Sequence, residues 1–322
     1  MRARVSYGGR VIAVCGELVA DLIEQKDGSL RPVPGGSPAN TALACSRLGV
    51  NVQFLGRFGA DVFGERARSR LVENGVSLDG SVAASEPSTL AVATTDADGH
   101  ATYSFWTQGT ADWQWSASEL ASVPAAGTRA VHTASVASWT APGASVIIDM
   151  LARAHDQGCL VSYDPNIRPA LIGEQSPALI AAAIGTAHLV KASDEDMAAL
   201  NPGLDPVEVA RSWLARGPAL VVMTAGADGA RAMREGHEDV VVPAASVTVA
   251  DTIGAGDTFT AGLLTALLDL LPTDSDPDES LRALSGDQVG LALRTAVTAS
   301  GITVTRPGCD PPTAQELSAA LG

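Results

Sequence analysis

Short apolar runs alternating with helical spacing constrain this chain most. Val11–Cys15, ending at Gly16, has the pattern of a strand buried in a parallel sheet, and residues 52–55, 159–163, 188–190 and 220–223 read the same way, with another strand near Val131. Helical stretches at 41–48, 63–74, 143–157, 194–200 and 288–300 lie between and after them. Such an alternation makes an α/β chain, and open α/β sheets bind ligands at the carboxyl ends of their strands. One segment is out of step: Thr89–Thr95 and residues 100–106 flank Asp96-Ala97-Asp98-Gly99, a β-hairpin around an Asp-Gly turn. It argues for a small sheet projecting from the body. With residues 18–31 it makes a candidate lid, in which Phe105 and Trp106 either close over a ligand or serve hairpin packing. Residues 272–279, rich in Pro and Asp, read as a mobile loop.

The densest chemistry lies in Asp251-Thr252-Ile253-Gly254-Ala255-Gly256-Asp257-Thr258-Phe259. From Phe259 apolar side chains recur at Leu263, Leu264, Leu267, Leu268 and Leu271, the spacing of a helix with one buried face, so the glycine turn is a helix N-terminus. Gly254 and Gly256 let the backbone come close to a bound group. The uncommitted N–H groups at the positive end of the helix dipole favour an anion such as a transferring phosphoryl. Asp257 has two readings. It either caps the helix and complements its dipole, or it takes a proton from a hydroxyl attacking the phosphate.

Composition narrows the partners. With 322 residues, 46% of them hydrophobic, the chain can bury the core of one large domain or two moderate ones. A formal charge of -15 opposes non-specific binding to nucleic acid or an anionic membrane, so any phosphate site must be local. No apolar run reaches the roughly 18 residues of a membrane span. Arg2, Arg4 and Arg10 ahead of Val11–Cys15 faintly imitate a signal peptide, but Glu17 and Asp21 interrupt the apolar segment. Cys15, Cys45, Cys159 and Cys309 form no CxxC pair, which suggests neither zinc nor a disulfide framework and fits a reducing cytoplasm.

Further candidates lie near strand ends. Asp21, after the first strand, is either a site residue or a solvated loop carboxylate. Gly35 and Gly36 before a helix permit close approach of a ligand, and Asn40 offers both a donor and an acceptor to a hydroxyl. Asp164-Pro165-Asn166-Ile167-Arg168 is a polar strand end, either a substrate edge or an Asp-Pro turn with a surface arginine. Asp194, Glu195 and Asp196 begin a helix, where carboxylates belong for dipole reasons alone; beside a triphosphate they become Mg²⁺ ligands, through water. The turn Thr224-Ala225-Gly226-Ala227-Asp228-Gly229 is a weak nucleotide signal on its own.

Taken in order and at these separations, the glycine pair with Asn40, the Thr224 turn and the DTIGAGDTF run closely resemble the two signatures of the ribokinase-like (PfkB) sugar kinases. The resemblance spans nearly the whole chain, and within that family Ser37-Pro38-Ala39-Asn40, Phe105-Trp106, Ala111-Asp112 and the Asp164 to Arg168 run look most like fructokinases. It implies a single kinase domain over 1–322: a doubly wound, mostly parallel α/β sheet flanked by helices, with a small β-sheet lid from segments 17–34 and 89–107. It also implies ATP-dependent transfer to a primary sugar hydroxyl, with D-fructose first. Asp257 would be the base and Gly254, Ala255 and Gly256 the anion hole. Asp21, Gly36 and Asn40 would hold the sugar, with Phe105, Asn166 and Arg168 beside it. Thr224, Gly226 and Gly229 would lie along the nucleotide. Asp251 and the Ile253 carbonyl are candidates for K⁺. Where the family has Asn-x-x-Glu for Mg²⁺, this chain has Ser193 to Asp196, leaving Glu195 and Asp196 both open. The alternatives are a 2-keto-3-deoxygluconate kinase, with Arg168 on the acid's carboxylate, a ribose or nucleoside kinase, and a non-catalytic sugar or nucleotide sensor. Pairing of lid edges would make a homodimer.

Overall fold

The computed structural model describes residues 11–95 and 101–322. The basic start of the chain, the Asp96 to Gly99 turn and His100 lie outside the described residues.

Eight strands form the central sheet: β1 (Val11–Cys15), β4 (Asn51–Leu55), β9 (Thr128–Ala134), β10 (Leu160–Asp164), β11 (Leu189–Ser193), β12 (Leu220–Thr224), β13 (Ala230–Met233) and β14 (Val240–Val242). Their spatial order is β14-β13-β12-β11-β10-β9-β1-β4. All neighbours are parallel except β12–β13 and β13–β14. The parallel strands are buried on both faces, as helical crossovers require. One face is covered by α1 (Ser37–Arg47), α2 (Val62–Glu73), α7 (Ala255–Leu270), α8 (Pro277–Ala283), α9 (Gly286–Val304) and α10 (Ala314–Leu321). The other carries α3 (Ala144–Asp156), α4 (Ser176–Thr186), α5 (Asp194–Leu200) and α6 (Pro206–Leu214). A separate four-stranded sheet joins β2 (Val19–Glu24), β3 (Leu30–Gly35), β7 (Thr89–Thr95) and β8 (Ala101–Trp106) in the order β3-β2-β7-β8. The short strands β5 (Arg57–Phe58) and β6 (Val82–Ala83) pair with each other in a separate, parallel two-stranded sheet. This is the doubly wound α/β architecture with a small lid sheet that the sequence implies.

Three elements differ from expectation. Helix α7 is not a surface helix with one buried face. Phe259, Leu263, Leu264, Leu267 and Leu268 are buried as predicted, but so are Thr258, Thr260, Ala261, Gly262 and Ala266. It lies inside the molecule, and a Cβ on Gly262 would come within 3.0 Å of the Ala296 Cα, so a glycine here permits the close crossing with α9. Helix α1 begins at Ser37, four residues before the expected start, because Pro38 fits a first turn and Gly36 supplies the cap. The Pro- and Asp-rich stretch expected as a loop instead starts α8, where Asp276 accepts the N–H groups of Asp278 and Glu279.

Candidate active site

The site begins at the N-terminus of α7. Gly254 caps it in the left-handed region with φ 75°, and a Cβ there would lie 2.3 Å from Cys309 Sγ, so only glycine fits. No side chain caps the helix. Of the three residues expected as an anion hole, Ala255 is the one whose N–H already has an acceptor, the Thr252 carbonyl at 3.2 Å. Among the first N–H groups of α7, those of Gly256 and Asp257 lack helical partners by geometry, and Gly256 is exposed.

Asp257 is not a dipole-capping carboxylate turned to water. It is buried, and its oxygens are claimed by α1: Ser37 Oγ donates to Oδ1 at 2.6 Å and Asn40 Nδ2 to Oδ2 at 2.9 Å. Each oxygen keeps a lone pair for another donor. Burial holds the Asp257 carboxyl above the usual carboxylate range, opposed by the Ser37 and Asn40 bonds and by the charges of Lys191 and Arg168. Asn40, expected against the sugar, is thus also in contact with the acid. Its Oδ1 faces Arg70 Nη1 at 3.5 Å, and Arg70 also donates to the Pro34 carbonyl at 2.5 Å and the Cys309 carbonyl at 3.0 Å. Sequence reading passed over Ser37 and Arg70 as site residues. Ser37 lies in the Ser37-Pro38-Ala39-Asn40 run, two residues after Gly35, and its helix-start position was the available signal.

The glycine pair has two separate causes. A Cβ on Gly35 would lie 2.1 Å from Asp21 Oδ2, and one on Gly36, at φ 102°, would lie 2.4 Å from the Glu17 carbonyl. Gly35 thus makes room for the Asp21 carboxylate, and Gly36 lets α1 start against the end of β1. Burial pushes the Asp21 carboxyl up to about 6, against the pull of Arg168 and Arg70. In the lid, Asp21 pairs with Ala91 and Ala91 with Phe105, so Asp21 and Phe105 share one face of the small sheet. Phe105 is half-buried and stacks on Tyr103 with ring centroids 6.2 Å apart, whereas Trp106 is 55% exposed.

Strand ends supply the rest. Asp164, at the end of β10, is buried; its Oδ1 accepts the Asn166 N–H at 3.1 Å and its Oδ2 the Lys191 ammonium at 3.0 Å. Asn166 takes a left-handed φ of 37° and accepts Arg168 Nη1 at 2.6 Å, which holds the exposed Arg168 where its charge acts on Asp21 and Asp257. Lys191 was not anticipated; the signal was a lone cation in the buried strand run His188-Leu189-Val190-Lys191. Ser193 pairs with Thr224 in register, so the acidic run and the Thr224 turn are neighbours at adjacent strand ends.

The two acids left open separate clearly. Asp196 Oδ2 accepts Ser193 Oγ at 2.6 Å and the Ser193 N–H at 3.0 Å, closing a capping box, while its Oδ1 accepts the Ile167 N–H at 2.7 Å. Both of its oxygens are used structurally. Glu195 is exposed. Gly226, at φ 46°, has open space where a Cβ would be, whereas Gly229, at φ 91°, is required by the Val242 carbonyl 2.2 Å from its would-be Cβ. Asp251 accepts the Ile253 N–H at 3.0 Å and the Gly308 N–H at 2.8 Å, tying the glycine turn to the loop after α9. Among the described residues, no group of three or more His, Cys, Asp or Glu side chains stands ready to hold a metal ion, and no helix is long and apolar enough to cross a membrane.

A buried, doubly hydrogen-bonded carboxylate beside open helix N–H groups suits proton removal next to an anion. Comparisons with known proteins identify the family. The pfkB family carbohydrate kinase model matches residues 10–316. The fructokinase of Rhizobium leguminosarum bv. trifolii is 33% identical over 265 residues, covering 80% of this chain and 79% of that protein. The fructokinase of Xylella fastidiosa, solved with bound ATP, superposes with a TM-score of 0.87 at 27% identity, covering 97% of this chain and 98% of that one. A double mutant of the Vibrio cholerae O395 fructokinase, solved with fructose, ADP and potassium, gives a TM-score of 0.83 at 26% identity, covering 98% and 99%. The chain is a fructokinase-like member of the pfkB family of carbohydrate kinases, phosphotransferases with an alcohol group as acceptor.

Proposed function

We propose that this protein phosphorylates D-fructose on a primary hydroxyl with ATP as donor. The observation that carries the reading is the Asp257 carboxylate, buried at the start of α7 and held by Ser37 and Asn40 next to the uncommitted N–H groups of Gly256 and Asp257. The sugar lies between the body and the Asp21 and Phe105 face of the lid, with Gly36, Asn166 and Arg168 around it. The nucleotide runs along Thr224, Gly226 and Gly229. The hydroxyl proton passes to Asp257 as the sugar oxygen bonds to the γ-phosphorus. The bond from that phosphorus to the bridging oxygen breaks, and its electron pair leaves with ADP. The backbone donors of the glycine turn stabilise charge on the moving group.

Mg²⁺ supplies charge neutralisation at the phosphate oxygens when bound with the nucleotide. The donor set fits an ion that keeps its waters and arrives with ATP rather than one in a protein cage. Glu195, whose carboxylate the structure leaves exposed, is the acid we assign to it, since Asp196 is committed to its cap. Asp251 and the Ile253 carbonyl are the candidates for K⁺. The free state of all four cysteines supports a reducing, cytoplasmic setting. Leu30 and Trp106, 46% and 55% exposed on the lid face opposite Asp21 and Phe105, support a homodimer through that sheet, which sedimentation equilibrium checks.

The test is an ADP-release assay across fructose, 2-keto-3-deoxygluconate, ribose and a nucleoside, with and without K⁺. We expect fructose to give the highest kcat/KM. Highest turnover with the keto acid would assign Arg168 to its carboxylate and replace fructose. Sugar binding with no ADP release from any acceptor would make the protein a sensor.

A further inference from the structure

We propose that Lys191 is a second charge-bearing residue of the transfer: its ammonium, fixed by Asp164 against the Gly256 backbone, contacts the moving phosphoryl. The inference rests on the kinase reading above and concerns a residue to which that reading gives no role.

Four observations place it there. Lys191 Nζ is 3.0 Å from Asp164 Oδ2, and the two side chains are only 5% and 1% exposed. Asp164 is itself pinned, since its other oxygen accepts the Asn166 N–H, so the ammonium is held at one spot. A Cβ on Gly256 would lie 3.1 Å from Nζ; the ammonium therefore sits directly against the turn whose N–H groups face outward at the head of α7. Among the described residues Asp164 is the only hydrogen-bond partner of Lys191, although an ammonium carries three donors.

Those facts together point to a ligand. Burying an ammonium costs free energy unless its donors are satisfied. Placing it beside the positive end of a helix dipole adds to that cost. Burial would draw its pKa down, but Asp164, Asp196 and Asp257 outweigh it and hold Lys191 charged. A phosphoryl at the glycine turn would accept the two remaining donors and meet the helix charge as well. The same cation lies near Asp257, where it lowers the repulsion between that carboxylate and the phosphoryl oxygens. A buried ion pair can equally be a structural device, and that alternative makes different predictions.

The experiment compares wild type, Lys191→Met and the double variant Lys191→Met/Asp164→Asn by ADP release with fructose, alongside thermal unfolding. Removing one donor to a developing anion costs about 10²- to 10³-fold in kcat, so we expect both variants to lose that much with the KM for fructose changed less than about threefold. The double variant removes both charges and is expected to regain the thermal midpoint lost by Lys191→Met without regaining turnover. A double variant that recovers kcat together with its stability overturns the proposal, because the pair is then structural. If the double variant does not fold, Lys191→Arg decides: turnover at least about tenfold above Lys191→Met supports a cation at this position, and equal turnover overturns it. Wild-type protein that releases no ADP with any sugar would instead refute the kinase reading itself, so the two failures are distinct.

Discussion

Asp257, the base in the reaction we propose, has its carboxylate held by two neighbours, Ser37 and Asn40. Burial raises its pKa, and the Ser37 hydroxyl, donating at 2.6 Å, brings it back down by favouring the charged form. Transfer needs the carboxylate deprotonated, so activity falls as pH drops through the Asp257 pKa. Replacing Ser37 with Ala removes a bond to the charged form and raises that pKa. The acid limb of kcat/KM in Ser37→Ala should therefore move to higher pH, with a larger loss of activity at pH 6 than at pH 8. A pH profile of the two proteins checks this, and an unmoved or downward-shifted limb contradicts it. This orientation of the acid was not legible in the sequence: Asn40 and Asp257 are separated by 217 positions, and a side chain that offers both a donor and an acceptor reads as readily as a sugar ligand.

At the scale of elements, the start of α5 separates two acids that the sequence left equivalent. Asp196 closes the capping box with Ser193 and ties α5 to the loop after β10 through the Ile167 N–H. Asp196→Ala should cost about 1–2 kcal/mol of stability and leave the Mg²⁺ requirement unchanged. Glu195→Ala should leave stability unchanged and raise the Mg²⁺ concentration needed for half-maximal rate by about tenfold or more. Chemical denaturation and Mg²⁺ titration measure the two effects, and a reversed pattern would move the assignment to Asp196. The serine followed three residues later by an acid was a visible cap signal. Other elements left less trace. Ser176–Thr186 is apolar on nearly every side, so α4 shows little periodicity, and α7 was placed correctly but read as half-exposed because Thr258, Thr260 and Gly262 are small or polar residues that only tertiary packing buries.

The whole molecule brings distant segments to one place. Residues 35–40, the end of β10 with Lys191 of β11, and the start of α7 meet at the carboxyl edge of a doubly wound sheet, with the Asp21 and Phe105 face of the lid alongside. The glycine turn and the fold class were legible because both are local patterns: a helix start with special backbone, and short buried strands alternating with helices. The Lys191 and Asp164 pair was not, because it depends on the register between two parallel strands. Local chemistry thus announced the reaction, while the supporting charges required the fold. The central claim is that Asp257 is the base on which the two substrates converge, and the most direct measurement is the turnover of Asp257→Asn with fructose and ATP, with folding checked by thermal unfolding. The change keeps the side chain's shape, removes the proton acceptor and turns one of the two accepting oxygens into an NH2 donor, which is why folding is checked alongside. A folded variant that still binds fructose and ATP and whose kcat is about 10²- to 10⁴-fold lower is the predicted result; a folded variant that turns over at the wild-type rate would contradict the account.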